Sequence, residues 1–532
     1  TAGSRYFRIP AIVTLENGDL VATADARWET TGDGGGLDTI ASVSSDGGKT
    51  WYYSFPFYFP DSDGYSGKNN SNPKMSHATT IIDPGLIAGP DGTVYCFADV
   101  NPSGSTTLYK TIGTGTGYVT VEGKRYLAVT DNYSNVETEP KDDNLNTYPY
   151  YVGDFDENGY AKILKRQDGS ETGYGVDEWY NLYTIENGTY VNNLTQKQLA
   201  QGENLPDAQL YNNTDIQQNI FYKDSQFHVY SIGYIWMITS KDGGRTWEHP
   251  KNINDQVKRR TDEHAILISP GKGIVTNDGT LVIGFYDHGG EENASLAYSS
   301  DGGETWKRTN DIPGASAGGW WSSENEIVEL EDGTLRMFFR NGQNYICYAD
   351  AVKDPGTGEY VMGAPVKTAE ASFSGCNVTA LSYSKKINGK QAIMVACPTA
   401  SGRTNGKIFT YLVEADKSMT LLNSFAVPQK KNTMFDYSCL TELQNGTIGL
   451  LWETSWNDIV YDNFHILDLC PDADITNTSV SLELAEGETY RRTYDGAYEI
   501  TKQPDESVAS LQAENITSVI PLHAHVSNTA SS

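Results

Sequence analysis

The chain has 532 residues and a formal net charge of −30, from 39 basic and 69 acidic side chains. An acidic surface repels nucleic acid and anionic lipid, so neither is an expected partner, and an anionic ligand would need a local cluster of cations. No apolar run approaches the roughly 20 residues that span a bilayer, so no membrane insertion is expected.

The cysteines and histidines give no sign of a metal site. The 6 cysteines are scattered without a C-x-x-C pair, and the 8 histidines form no cluster with ligand spacing. We therefore predict no metal and no cofactor. The acidic, tyrosine-rich composition is typical of a secreted or cell-surface protein. We expect a monomer whose signal peptide is absent from this sequence, because the first residues lead directly into a domain.

An octapeptide occurs three times with nearly the same sequence. Its Asp-Gly-Gly core supplies a carboxylate that can accept hydrogen bonds from its own turn, followed by residues that tolerate positive φ. The threonine can add a hydroxyl hydrogen bond, and the tryptophan can pack the turn onto a sheet. The copies are SSDGGKTW (Ser44 to Trp51), SKDGGRTW (Ser240 to Trp247) and SSDGGETW (Ser299 to Trp306). This octapeptide predicts a structural element.

A second repeat joins a polar turn to an apolar strand. Asn-Gly or Asp-Gly between alternating apolar runs is a strong hairpin signal. The repeat occurs in ENGDLVATAD from Glu16, PDGTVYCFAD from Pro90, NDGTLVIGFYD from Asn277, EDGTLRMFFRN from Glu331 and QNGTIGLLWE from Gln444. Many similar hairpins with little helical periodicity predict an all-β chain folded as a β-propeller.

The composition divides the chain into four segments. Residues 1–99 and 216–470 carry the repeats and form the two parts of the predicted propeller. Residues 100–215 are polar and aromatic with alternating tyrosine and valine, which predicts a small β domain inserted between blades. Residues 471–532 resemble the first strands of an immunoglobulin-like bacterial repeat, followed by a tail.

The motif YFRIPA, from Tyr6 to Ala11, together with the octapeptides, resembles the bacterial exo-sialidase (neuraminidase) family. The resemblance covers roughly residues 5 to 470 and implies a six-bladed propeller, with an inserted β domain, that cleaves terminal sialic acid. Similar octapeptides occur in unrelated propellers, so they support the architecture only. An activity has to be argued from the site residues.

The first demand of such a site is a set of fixed cations, because sialic acid carries a carboxylate on its anomeric carbon. Arginine suits this role better than lysine, since its planar guanidinium can bond both carboxylate oxygens. The resemblance places a triad at Arg8 in the R-I-P motif, Arg340 in RMFFRNG and Arg403 in TASGRTNG. Each lies at or just beyond the end of an apolar strand, where a propeller collects side chains at its axis.

The second demand is a nucleophile. A carboxylate would be repelled by the carboxylate of the sugar, so a neutral phenol with a base to accept its proton is the better choice. The resemblance places the nucleophile at Tyr437, in MFDYSCL, and the base at Glu324, in WWSSENEIVEL. Glu326 is an alternative base, because a slip of two residues keeps the same strand face.

The third demand is an acid that protonates the leaving oxygen and then acts as a base. The resemblance places it in a mobile loop after the first strand pair, where TTGDGGGLDTI offers Asp33 and Asp38. We predict Asp33, because its neighbouring glycines allow the loop to close, and we keep Asp38 as the alternative. Asp25, in ADAR, is expected to be a structural residue at a strand end.

Three further residues match substrate-contacting positions. Arg27 and Asp83 match positions that contact O4 and the N-acyl group of the sugar in relatives. Trp456 has two interpretations. It either packs a blade or, as the resemblance implies from an aromatic residue at this position in some relatives, crowds the glycerol side of the sugar. In those relatives this residue excludes water and lets the sugar's own O7 attack the tyrosyl intermediate.

The resemblance therefore implies an exo-α-sialidase that acts with retention on sialylated glycans, glycoproteins or glycolipids. Its intermediate would be a sugar bound covalently to tyrosine. One alternative is an intramolecular trans-sialidase that releases 2,7-anhydro-sialic acid. Another is a sialic-acid-binding propeller without activity, which would need the arginines but not a tyrosine with its base.

Overall fold

The computed structural model describes Ser4 and residues 6–28, 31–61, 78–103, 114–198, 215–259, 263–288, 292–314, 320–430, 432–455 and 458–475. It describes the backbone alone at 199, at 211–214 and in five strands between 478 and 530. The regular secondary structure of these residues is almost entirely β-strand. No helix within the described ranges is long and apolar enough to cross a membrane.

Six strands precede the predicted insertion. They are β1 (Tyr6–Thr14), β2 (Leu20–Arg27), β3 (Leu37–Ser44), β4 (Tyr52–Phe57), β5 (Thr80–Ala88) and β6 (Val94–Asn101). β2 and β6 are buried along their whole length, because other strands pack against both of their faces. Their sequences therefore read as nearly continuous runs of apolar and small residues.

The predicted insertion forms a seven-stranded antiparallel sheet in simple sequence order and a separate two-stranded ribbon. The sheet consists of β7 (Tyr118–Val121), β8 (Lys124–Val129), β9 (Tyr150–Phe155), β10 (Tyr160–Lys165), β11 (Glu171–Asp177), β12 (Leu182–Glu186) and β13 (Thr189–Val191). The ribbon consists of β14 (Thr195–Leu199) and β15 (Tyr211–Gln217).

The chain then returns to the strand that it left. β16 (Tyr234–Ser240) pairs with β6, with Tyr234 opposite Val100, and is followed by β17 (Lys251–Asn252) and helix α1 (Asn254–Val257). The next strands are β18 (Ala265–Ile268), β19 (Gly271–Lys272), β20 (Ile274–Val275), β21 (Leu281–His288), β22 (Asn293–Ser299) and β23 (Lys307–Arg308). β19 pairs with β5, which completes a nine-stranded sheet with β1–β6, β16 and β17.

Three more sheets follow along the chain. The first contains β24 (Ser322–Glu329), β25 (Leu335–Asn341), β26 (Tyr345–Lys353), β27 (Tyr360–Met362) and β28 (Val366–Ala371). The second contains β29 (Thr379–Ser382), β30 (Ala392–Ala400), β31 (Thr404–Val413) and β32 (Met419–Ala426). The third contains β33 (Ser438–Glu442), β34 (Ile448–Ser455) and β35 (Asp458–Phe464), and helix α2 (Ile466–Leu469) follows it.

The last described strands form two small sheets of their own. They are β36 (Thr478–Glu483), β37 (Glu488–Arg492), β38 (Tyr498–Lys502), β39 (Ser510–Ala513) and β40 (His525–Ala530). β36 pairs with β39 and β40, while β37 pairs with β38.

The repeated antiparallel sheets confirm the prediction of an all-β, propeller-like fold. The number of blades stays a prediction, because the pairing of Leu37 with Thr80 joins the first two groups of strands into one sheet. The domain boundaries after residues 99, 215 and 470 also stay predictions. All six cysteines are buried and none forms a disulfide.

The octapeptides form the turns that their sequence predicts. In the first copy, the Asp46 carboxylate accepts hydrogen bonds from the backbone N–H groups of Lys49 and Thr50 at 2.9 Å. The Thr50 hydroxyl also donates to Asp46, at 2.6 Å, and the Trp51 indole donates to the Gly48 carbonyl at 3.0 Å. The carboxylate thus closes its own turn and has a structural role.

Candidate active site

Most of the predicted site residues lie at or near the ends of strands. Eight of the nine lie in the described ranges, and hydrogen bonds, ion pairs or ring contacts connect them into one cluster. The strands or adjoining loops that carry them are β1 (Arg8), β2 (Arg27 and, beyond it, Asp33), β5 (Asp83), β24 (Glu324), β25 (Arg340), β31 (Arg403) and β33 (Tyr437).

Tyr437 and Glu324 form a buried pair at the centre of the cluster. The Tyr437 hydroxyl donates a hydrogen bond to the Glu324 carboxylate, and the Arg340 guanidinium donates to the other Glu324 oxygen at 2.9 Å. Burial and then the charge of Glu324 raise the pKa of Tyr437 well above its ordinary value of 10, and Arg340 opposes this shift. In the unbound protein the phenol therefore keeps its proton, which points at the carboxylate.

The structure separates the two candidate bases. Glu326 is fully buried, and its carboxylate accepts hydrogen bonds from Lys272 Nζ at 2.7 Å, Thr379 Oγ1 at 2.8 Å and the Ala380 N–H at 3.0 Å. Its oxygens are thus occupied by hydrogen bonds to residues that lie beneath the cluster. Glu324, and not Glu326, is the carboxylate beside Tyr437.

Arg8 is held by an acidic residue that was not predicted from the sequence. Glu453, at the end of β34, accepts hydrogen bonds from Arg8 Nη2 at 3.0 Å and from the Ile9 N–H at 2.6 Å. Burial disfavours the charge of Arg8, but Glu453 and then Asp436 outweigh it and raise the pKa of this guanidinium. The only signal for Glu453 was its place at the end of the apolar run GLLWE.

Arg403 is anchored by Asp436, a second acidic residue that was not predicted from the sequence. Arg403 Nη1 donates to Asp436 Oδ1 at 2.6 Å, and the same oxygen accepts from the Tyr437 N–H at 2.9 Å. The guanidinium carbons of Arg8 and Arg403 lie 5.6 and 5.3 Å from the centre of the Tyr437 ring. In the sequence, the signal that could have identified Asp436 was its position immediately before the proposed nucleophile.

Arg340 completes the set of cations around Tyr437. Its Nε donates to the Ser374 carbonyl at 2.7 Å, and its Nη1 lies 3.5 Å from the Tyr437 hydroxyl oxygen. The three predicted triad arginines therefore surround one phenol, each fixed by a different buried or main-chain acceptor. Such an arrangement presents fixed positive charge to an anion at the phenol.

Asp33 faces two of the arginines. Its Oδ1 accepts a hydrogen bond from Arg27 Nη1 at 2.8 Å and lies 3.8 Å from Arg8 Nη1. Its side chain is 41% exposed, so solvent or a ligand can reach it. Burial tends to raise the pKa of Asp33, but Arg27 and then Arg8 outweigh it and lower the pKa below its ordinary value.

Asp38, the alternative acid, is a buried structural residue. Its carboxylate accepts hydrogen bonds from the Trp28 indole at 2.8 Å and from the Phe59 N–H at 2.9 Å. Asp25 is also structural, as the sequence predicts, since it accepts from Arg27 Nη2 at 2.7 Å. The exposed loop acid is thus Asp33.

Asp83 is held in an unusual backbone conformation beside this group. Its φ is 60°, and its N–H donates to Asp25 Oδ1 at 3.0 Å. Its side chain forms no hydrogen bond with another side chain or backbone group in the described part of the chain. Burial and then the carboxylates of Asp25 and Asp99 raise the pKa of Asp83 well above its ordinary value. Trp456, the remaining predicted site residue, lies outside the described residues.

A family model described as a BNR repeat-like domain matches residues 9–420. The chain belongs to the BNR-repeat sialidase family. The sequence-based assignment to the sialidases is thereby confirmed.

Two relatives extend the similarity of this sialidase-family chain beyond the repeats. An anhydrosialidase from Macrobdella decora is 31% identical over 494 residues, which cover 88% of this chain and 60% of the relative. Sialidase B from Streptococcus pneumoniae is 28% identical over 471 residues, which cover 85% of this chain and 62% of the relative. The chain thus spans about 60% of the length of these relatives.

A solved structure resembles most of this sialidase-family chain. The intramolecular trans-sialidase from Ruminococcus gnavus, in complex with oseltamivir carboxylate, superposes with a TM-score of 0.72 at 30% identity. The match covers 88% of this chain and 96% of that one. The similarity therefore includes the predicted insertion as well as the propeller.

Proposed function

We propose that this chain cleaves terminal sialic acid from glycans through a sugar–tyrosine intermediate. The observation that carries the proposal is the buried pair of Tyr437 and Glu324 surrounded by Arg8, Arg340 and Arg403. A phenol bonded to a carboxylate and ringed by cations suits attack on an anionic sugar. An inactive binding propeller would need only the cations.

The arginines bind the carboxylate of the sugar. Arg8 is buried, Arg340 is partly buried, and both are fixed by acceptors of the protein, so little side-chain entropy is lost when the substrate arrives. Their charges also offset the net charge of −30 that would otherwise repel an anion. Arg27 and Asp83 face the sugar at O4 and the N-acyl group.

In the first chemical step, the Tyr437 oxygen attacks the anomeric carbon while the phenolic proton passes to Glu324. The bond from that carbon to the leaving glycan breaks, and Asp33 gives its proton to the leaving oxygen. The positive charge that develops on the sugar is stabilised by Tyr437 and Glu324. This step inverts the anomeric carbon, and a second inversion then gives net retention.

Asp33 must be protonated to act as an acid, although Arg27 and Arg8 lower its pKa in the unbound protein. The arriving carboxylate offsets part of the charge of Arg8. Substrate binding therefore raises the pKa of Asp33 and prepares it for proton transfer. The exposure of this side chain gives the leaving glycan room beside it.

In the second step, an oxygen nucleophile attacks the anomeric carbon, and the bond to Tyr437 breaks. Asp33 accepts the proton of the attacking oxygen, and Glu324 returns its proton to Tyr437. In the exo-sialidase that the sequence resembles, this nucleophile is water. The relatives named anhydrosialidase and intramolecular trans-sialidase instead favour O7 of the sugar, so we propose 2,7-anhydro-sialic acid as the main product.

The test is product analysis after incubation with 3′-sialyllactose. Mass spectrometry should detect lactose and a sugar lighter than sialic acid by one water, and NMR should identify the 2,7-anhydro bridge. Free sialic acid would contradict intramolecular transfer and would mean that water attacks the intermediate, so that the reaction is hydrolysis. Binding without lactose release would contradict enzyme activity and support a binding propeller. Secretion and a monomeric state stay predictions.

A further inference from the structure

A second layer of side chains lies directly beneath Tyr437 and Glu324. Glu326 is two residues after Glu324 on β24, and Cys439, on β33, is two residues after Tyr437, which immediately precedes that strand. Cys439 Sγ lies 3.5 Å from Glu326 Oε1. The segments that carry the proposed base and nucleophile therefore contact each other at two levels. Glu324 contacts Tyr437 in the site, and Glu326 contacts Cys439 one layer below.

Glu326 collects donors from three other sheets. Its oxygens accept from Lys272 on β19 in the nine-stranded sheet and from Thr379 and Ala380 on β29, in addition to Cys439 on β33. β24 itself belongs to a fourth sheet. One carboxylate therefore connects four sheets at the axis, and its oxygens are fully used.

A glycine makes room for this carboxylate. Gly271, on β19, has a φ of 119°, and a Cβ at this position would lie 2.2 Å from Glu326 Oε1. The backbone of β19 can therefore approach Glu326 closely enough for the Lys272 N–H to donate to it at 3.2 Å. The glycine thus leaves space for the Glu326 carboxylate, and the neighbouring lysine supplies an opposite charge to it.

No backbone pairing joins β24 to β33 among the described strands. Main-chain hydrogen bonds between these two strands therefore do not fix the position of Glu324 relative to Tyr437. The Thr379 hydroxyl donates to Glu326 at 2.8 Å and accepts from the Leu440 N–H at 2.9 Å, which adds a second link from Glu326 to β33. These side-chain hydrogen bonds instead fix the position of β24 relative to β33.

We propose that Glu326 is a positioning residue that sets the distance between Glu324 and Tyr437 by fastening their strands one layer below. The inference rests on the proposed function, since it concerns the proton transfer from Tyr437 to Glu324. A shift of about 1 Å between reacting groups can slow a reaction by about 100-fold. Removing the charge of Glu326 should therefore slow attack by Tyr437 more than it weakens substrate binding.

The experiment measures nucleophilic attack separately from binding. 2,3-Difluorosialic acid labels the nucleophile without help from an acid: the bond from Tyr437 to the anomeric carbon forms, fluoride leaves, and the phenolic proton passes to Glu324. The labelling rate is followed by mass spectrometry of the peptide that contains Tyr437. The affinity for the unreactive inhibitor 2,3-didehydro-2-deoxy-N-acetylneuraminic acid is measured by calorimetry.

For Glu326→Gln, we expect labelling at least about tenfold slower and an inhibitor Kd within about threefold of the wild-type value. Glu442→Gln is the matched control, because Glu442 lies at the far end of β33, the strand that follows Tyr437, and accepts from the Ser384 N–H at 2.7 Å. Its labelling rate should equal that of the wild type. Thermal unfolding confirms that each variant is folded.

Two results would overturn the inference: wild-type labelling by folded Glu326→Gln, or an equal loss of labelling and inhibitor affinity. If that variant does not fold, Thr379→Val decides, because it removes one hydroxyl link and keeps the side-chain shape. Wild-type labelling by Thr379→Val would then contradict positioning. If the wild type is not labelled at Tyr437, the proposed function fails, and the inference fails with it.

Discussion

The carboxylate of Glu453 holds two consecutive residues of β1, accepting from the Arg8 guanidinium at 3.0 Å and from the Ile9 N–H at 2.6 Å. Ile9 has a φ of 58°, which costs a β-branched residue about 1–3 kcal/mol. The bond to Glu453 supports this strained backbone and aims Arg8 at Tyr437. Burial outweighs the attraction of Arg8 and raises the pKa of Glu453 from its ordinary value of 4.5 to about 7.

The shifted pKa of Glu453 predicts a pH dependence of stability. Between about pH 4.5 and pH 7 the folded chain binds more protons than the unfolded chain, so the free energy of unfolding should fall as the pH rises. The contribution of this residue is at most about 3.4 kcal/mol. Urea unfolding at pH 5 and pH 7.5 should show the loss in the wild type and a smaller loss in Glu453→Gln. Equal pH dependence in both proteins would contradict the shift.

Replacing the proposed nucleophile should separate turnover from binding. Tyr437→Phe keeps the ring between Arg8 and Arg403 but removes the attacking oxygen, so kcat should fall at least about 1000-fold. Calorimetry with a substrate-like inhibitor should give a Kd close to the wild-type value. Tyr383→Phe is the control, because Tyr383 is equally buried but donates to the Gly446 carbonyl at 3.4 Å. Unchanged product release by Tyr437→Phe would exclude this nucleophile.

Replacing one triad arginine by lysine should raise KM. Arg340 uses its planar guanidinium to contact Ser374 and Glu324 together, and a lysine ammonium cannot reproduce this geometry or bond two carboxylate oxygens. We expect Arg340→Lys to raise KM by about 10- to 100-fold. Arg336→Lys on the same strand is the control, because Arg336 pairs with Asp350 instead. A KM near the wild-type value for Arg340→Lys would contradict its role.

The fold and the positions of Arg8, Arg340 and Arg403 next to strands were predictable because their signals are local, whereas the role of these arginines stays a prediction. The octapeptides encode their own hydrogen bonds, and each triad arginine adjoins a recognisable strand. Glu453 and Asp436 were not predictable in the same way, since the bond between Arg8 and Glu453 joins residues separated by 445 positions. Nothing in a local pattern specifies which distant acid will meet a given arginine when the sheets close around the axis.

Choices between neighbouring acids also needed the structure. Glu324 and Glu326 share a strand face, so the alternation of side chains cannot separate them. Their different partners do, since Glu324 contacts Tyr437 and Glu326 contacts Lys272. In the same way, burial of a carboxylate such as Asp38 depends on segments that pack over it later in the chain.

The proposed acid can be tested through the leaving group. Asp33→Asn removes the proton that the leaving oxygen of 3′-sialyllactose needs, so kcat/KM should fall by at least about 100-fold. A 4-methylumbelliferyl sialoside has a leaving group that departs without protonation, and its kcat/KM should fall by less than about tenfold. The comparison of the loss of kcat/KM for the two substrates serves as the internal control. It is informative because kcat/KM reports the first chemical step, in which the leaving group departs.

The same variant also tests how the arginines act on Asp33. Asparagine can still accept a hydrogen bond from Arg27, so the loop should keep its place while the charge beside Arg8 disappears. Removing this charge should strengthen the binding of an anionic inhibitor, which calorimetry would detect as a lower Kd. Equal losses of kcat/KM with both substrates would mean that Asp33→Asn disturbs the site generally, and the acid would have to be sought elsewhere.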